Sequence, residues 1–153
     1  MHLLVFLGSI FAKDINFDYH SWIVDITVPV VINCSDSGVN QRTLEQAVLY
    51  WQSKGKAISG VKRHECIGNS VKGEIRVFGP LSKLDSDRYY AMTYLDKDYN
   101  ENIRSVHISF ASDSLNNTEV IYHELGHALG IPHNTSNTRS LMHPEHSYHL
   151  TVF

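Results

Sequence analysis

The chain has 153 residues, 42% of them hydrophobic and 19% charged, which fits one globular domain and excludes a disordered, collagenous or low-complexity chain. A net charge of −3 gives no basic field for nucleic acid, and no apolar run reaches the roughly 20 residues of a membrane-spanning helix. Ten histidines are the outlier; the residue type points to metal or proton chemistry, and spacing has to decide which.

Residues 1–12 (MHLLVFLGSIFA) are mostly apolar and end in a small residue, the layout of a secretory signal cut after Ala12. The competing reading is a buried N-terminal strand or helix. The signal reading leaves residues 13–153 as a single domain of a secreted protein. The two cysteines, Cys34 and Cys66, form one bridge in an oxidising compartment or remain two buried thiols in a reducing one. Neither belongs to a CxxC pair, which argues against a thiolate zinc site.

Residues 22–33 (WIVDITVPVVIN) are β-branched and apolar and predict a strand, with Pro29 as a local defect or edge marker. Residues 36–38 predict a turn. A helix follows over residues 40–54, because Leu44, Ala47, Val48 and Trp51 make one apolar stripe. Asn40 is its N-cap, Val39 and Leu44 form a hydrophobic staple, and Gly55 closes it. A short strand is expected near 58–63, then strands over 74–78, 89–95 and 103–110, with a polar turn at 96–102. A second helix starts near Asn116, with Glu119 three positions later as in a capping box. Ile121, Leu125, Ala128 and Leu129 are its buried stripe, and Gly130 stops it. Residues 131–153 are loop-like, with Pro132 and Pro144. The order predicts an α+β fold: a mixed sheet packed on an N-terminal helix and a central metal-bearing helix, followed by an irregular C-terminal subdomain.

The second helix carries HExxHxxGxxH over residues 123–133. Residues four apart lie one turn apart on one helix face, so His123 and His127 can present their imidazoles to one ion about 2.0–2.1 Å from each nitrogen. Glu124 adjoins the first ligand, and its longer side chain can reach a water beside the metal without binding the metal. Gly130 tolerates the left-handed conformation that ends a helix and lets the chain turn back with His133 as third ligand. Three neutral imidazoles leave one tetrahedral position open, the mark of a catalytic zinc site. A chain of this composition holds the pattern by chance about once in 10⁴.

This segment resembles the zinc signature of the metzincin metallopeptidases. Residues 140–144 (SLMHP) follow His133 at a short distance and resemble the clan's Met-turn, which implies Met142 as an apolar floor under the imidazoles. The Met-x-Pro turn and short length are most like a minimal matrixin catalytic domain. The resemblance implies a zinc endopeptidase with Glu124 as general base and acid, and a sheet with one antiparallel edge strand. An extended peptide or protein substrate would add to that strand by main-chain hydrogen bonds. Residues 89–95 stand where that strand is expected, making Tyr90, Ala91, Met92, Thr93 and Tyr94 candidate substrate contacts. Pro144 and Tyr148 are candidate pocket walls. Because Pro144 stands two residues after the methionine, no tyrosine is expected as a further metal ligand. Neither a cysteine-switch segment nor the second zinc site of matrixins is apparent, and the usual C-terminal helix is missing or vestigial.

The remaining histidines carry less. His143, His146 and His149 read as a solvated tail rather than a second metal site, and His2, His20, His64 and His107 lack partners at ligand spacing. The tyrosines 89, 90, 94 and 99 also fit plain cross-strand packing. One zinc ion is expected, with no support for calcium or a second zinc, and the protein is expected to be monomeric. Two rival functions remain: a zinc-binding interaction module without turnover, and a zinc hydrolase of a non-peptide bond.

Overall fold

A computed structural model describes residues 3–8 (as backbone), 19–68 and 70–144. The expected cut after Ala12 lies outside the described residues, as do His2, His146, Tyr148 and His149. Six strands form one mixed sheet: β1 (Leu3–Gly8), β2 (Val30–Cys34), β3 (Val61–His64), β4 (Glu74–Val77), β5 (Ala91–Lys97) and β6 (Ile103–Phe110). Their spatial order is β1-β5-β6-β4-β2-β3. Strands β3, β2, β4 and β6 are mutually parallel, and β5 runs antiparallel to β6. The expected α+β architecture with one reversed strand is therefore present. The outer side of β5 is not open, however: β1 pairs with it antiparallel from Leu3 opposite Lys97 to Gly8 opposite Met92.

Helix α1 (Gln41–Ser53) forms as its stripe predicts, with Leu44, Ala47, Val48 and Trp51 buried. The Asn40 side chain accepts from the Thr43 N–H at 3.1 Å, satisfying one of the first-turn donors. Helix α3 (Thr118–Ala128) buries Val120, Ile121, Leu125 and Ala128, and these residues join β-strand and α1 side chains in one core. Its N-cap is Asn117, whose side chain accepts from the Val120 N–H, one residue beyond the expected Asn116. At the crossing of the two helices the Trp51 Nε1 donates to the Tyr122 carbonyl at 2.9 Å. Gly126 permits the approach: a Cβ there would lie 2.7 Å from Trp51 and 2.5 Å from the Met142 sulfur.

Several boundaries differ from the sequence reading. The strand expected over 22–33 is cut to Val30–Cys34, with Trp22 making only an isolated bridge to Ile103. Between them the chain turns, the Ile26 N–H donating to the Ile23 carbonyl, and Pro29 has no N–H to extend the ladder. β3 lies three residues later than expected and β5 begins two later. A four-residue helix α2 (Lys83–Ser86), capped by Ser82, precedes β5. Cys34, at the end of β2, is bridged to Cys66 just beyond β3. Closing a loop with a sequence separation of 32 residues stabilises the fold by about 3–4 kcal/mol in the chain-entropy account.

The segment before β2 serves the far end of α3. The His20 N–H donates to the Gly130 carbonyl at 2.9 Å, and the Trp22 Nε1 donates to the Ala128 carbonyl at 3.0 Å. Ser21 and Ile23 bond to Ile103 at the start of β6. Residues 20–23 thus satisfy carbonyls that a helix end leaves without partners and fix the point where α3 stops.

Candidate metal centre

The pitch of α3 places His123 and His127 on one face with ring centroids 4.7 Å apart and planes perpendicular. Helix geometry ends at Leu129, and Gly130 takes φ +90°. Its N–H bonds to the His127 carbonyl, and the Ile131 N–H bonds to the Gly126 carbonyl at 3.0 Å. Only glycine suits this position, because a Cβ would overlap the His20 carbonyl. The chain then turns back. The His133 Nε2 comes to 3.0 Å from that of His123 and 2.9 Å from that of His127. The helix, the left-handed glycine and the returning loop therefore bring together the three histidines singled out from the sequence.

The outer nitrogens define what the inner ones can do. His123 Nδ1 lies 2.8 Å from the Leu141 carbonyl, and His127 Nδ1 lies 2.9 Å from the Ile131 carbonyl. A carbonyl only accepts, so each Nδ1 carries a proton and each neutral ring turns a bare Nε2 lone pair inward. Burial holds His127 well below the ordinary imidazole range, reinforced by His123 and His133. His133 is pushed down to about 3, again mainly by burial, then by His123 and His143. The lone pairs thus face one another in a place where protonation is disfavoured. A divalent cation that takes imidazole nitrogens resolves this arrangement, and zinc is such an ion.

Met142 lies buried against Gly126, between the two helical histidines in sequence. Its turn is built on Ser140, whose hydroxyl and carbonyl accept from the N–H groups of Met142 and His143. The Asn134 N–H donates to the Met142 carbonyl at 3.0 Å, tying the loop of the third histidine to this turn. A cavity of about 380 Å³ opens beside His133, lined among others by Ile131, Asn134, Ser140 and Met142.

Glu124 is fully buried. One carboxylate oxygen, Oε2, lies 2.5 Å from the Thr93 hydroxyl of β5, and Oε1 has no protein partner among the described residues. Burial pushes this carboxyl up to about 8, with the Thr93 bond pulling the other way.

The other sequence candidates lie in varied places. Tyr90 and Ala91 belong to the core, and burial pushes the Tyr90 phenol up to about 12. Thr93 points to the helices, whereas Tyr94 stacks on His107 at 4.6 Å and Tyr94 Oη contacts the Met92 sulfur. His107 also meets the Phe78 ring edge, so it has aromatic partners on the sheet and is not among the three metal-site histidines. His143, expected in a solvated tail, is instead buried beside the Met142 turn, as is Pro144. Sequence reasoning missed two things: the carbonyls of Leu141 and Ile131, which carry no side-chain signature, and the role of the Thr93 hydroxyl. A hydroxyl on a strand face otherwise formed by Ala91 and Leu95 was the available signal for the second.

The matrixin family model of the M10 peptidases matches residues 14–151. No curated protein and no solved structure matches the chain. With the three-histidine cluster in place and nearly the whole length matched, the chain belongs to the matrixins, a family of zinc metallopeptidases.

Proposed function

We propose that the protein is a zinc-dependent endopeptidase that cleaves extended peptides, with His123, His127 and His133 holding one ion. The observation that carries this reading is the convergence of three Nε2 atoms, those of His123 and His127 freed of protons by the carbonyls at their Nδ1, with a buried, half-partnered carboxylate on the same helix. When bound, zinc supplies Lewis acidity, polarising a carbonyl and lowering the pKa of water.

The chain's own residues do the rest. Glu124 accepts a proton from the attacking water and returns it to the departing amine; burial raises its pKa into the range where both transfers are accessible near neutral pH. The Leu141 and Ile131 carbonyls keep His123 and His127 in the ligating tautomer. Met142 packs as an apolar floor against Gly126, and Pro144, two residues on, is assigned to the wall of the substrate pocket. The outer edge of β5, where residues 3–8 pair antiparallel in this structure, would offer its main-chain groups to an antiparallel peptide once those residues leave it. The Cys34–Cys66 bridge fits an oxidising, extracellular setting.

The test is elemental analysis of the purified chain together with cleavage of a mixed peptide library followed by mass spectrometry. One zinc per chain and chelator-sensitive peptide products are expected. Zinc without peptide products would favour a non-catalytic module, and products only from non-peptide esters or amides would favour the other hydrolase class.

A further inference from the structure

Glu124 comes from α3 and has one partner among the described residues, the Thr93 hydroxyl on β5, at 2.5 Å. Both residues are fully buried. The contact is unusual for its position. Successive β5 side chains alternate between faces, and the neighbours of Thr93 on its own face, Ala91 and Leu95, are apolar and fully buried. Thr93 therefore places the single hydroxyl of that face against the carboxylate. A valine has nearly the same shape and equally good strand propensity, so packing and strand formation do not call for the oxygen.

The bond has a geometric effect. A carboxylate turns easily about its last side-chain torsion, and its two oxygens are equivalent until one is fixed. A donor on Oε2 fixes the plane of the group and leaves Oε1 as the oxygen with uncommitted lone pairs. Thr93 is itself held by backbone pairing to Ile108 of β6, so the donor sits on a rigid element. The carboxylate is thus anchored to the sheet, while the histidines are anchored to the helix and loop carbonyls.

We infer that Thr93 is a positioning residue for the general base: its side-chain hydroxyl orients the Glu124 carboxylate, while its main chain lies on the strand assigned to substrate. This inference rests on the peptidase reading above. It gives Thr93 a role distinct from the substrate contact expected of it from the sequence.

The test compares wild type with Thr93→Val, which keeps the shape and loses the donor, and Thr93→Ser, which keeps the donor. Thr93→Val is expected to lower kcat about 10- to 100-fold, the scale of one lost hydrogen bond to a charged group, with KM and zinc affinity unchanged. Thr93→Ser is expected to restore kcat to within about threefold of wild type. A second readout needs neither metal nor turnover. In zinc-free protein labelled with carboxyl-¹³C glutamate, the Glu124 resonance, identified by its loss in Glu124→Gln, should move in Thr93→Val and return in Thr93→Ser. The inference is overturned if kcat of Thr93→Val stays within about twofold of wild type, if Thr93→Ser fails as Thr93→Val does, or if the resonance does not move. A wild-type chain that binds zinc and cleaves no peptide sinks the peptidase reading first and the positioning role with it. The two failures are therefore read on different proteins.

Discussion

Replacing Glu124 by glutamine is expected to stop turnover and leave the metal in place. The amide keeps the size of the side chain and cannot accept the water proton, so kcat should fall by about 10²–10⁴-fold, the usual worth of a positioned acid–base group. Zinc content should not change, because the three Nε2 atoms and their carbonyl tethers do not involve Glu124. The same substitution has a stability signature in the zinc-free chain. The Glu124 carboxyl rises from 4.5 to about 8 on folding, chiefly through burial. Between those values the folded chain holds a proton that the unfolded chain has lost. Stability is therefore fullest below pH 4.5 and declines as pH rises to about 8, by on the order of 5 kcal/mol. His127 and His133 work in the opposite sense: their depressed values mean that stability is lost as pH falls below 6.5. Denaturant titrations of wild type and Glu124→Gln across this range, after metal removal, separate the two, since only the first slope vanishes in the variant. Wild-type turnover in Glu124→Gln, or an unchanged slope, would remove Glu124 from the role assigned to it.

The second large effect is on the metal itself. His133→Ala should abolish stoichiometric zinc binding and activity together while the fold persists. The expected loss of affinity exceeds the 10- to 100-fold typical of an outer-shell partner, because a direct ligand is gone. The fold should survive because α3 is held by Ile121, Leu125 and Ala128 in the core and by residues 20–23 at its end. Thermal melts give the contrast. Zinc at about 1,000 times its dissociation constant stabilises the wild type by about 4 kcal/mol, and the variant should show no shift. A variant that still carries one tightly held zinc would show that the loop histidine is not a ligand.

The histidine cluster was legible in the sequence because helix pitch fixes it: residues 123 and 127 must share a face, and a glycine at 130 can end a helix whatever the surrounding fold. The apolar stripe of α1 was legible for the same reason, and Leu44, Ala47, Val48 and Trp51 are all buried. Strand limits were less so. The β-branched run at 22–33 favours extension everywhere, yet residues 23–26 turn so that residues 20–23 can serve the end of α3, which is a tertiary demand. Helix α2 is too short for any periodicity to mark it. The tethers of His123 and His127 are backbone carbonyls, and the partner of Glu124 lies on a different element. Such contacts exist only once the sheet and helix have packed.

The pairing of residues 3–8 with β5 places a strand of the chain itself on the edge proposed above for a peptide. A segment on a short tether competes at an effective concentration near millimolar, so a dilute peptide seeking the same edge meets a rival that never diffuses away. A chain lacking residues 1–12 should then show a lower KM with little change in kcat, and equal KM values would mean that peptides do not use that edge. If they do, the timing of proteolysis is governed by how long those first residues stay attached, independently of the metal and its base.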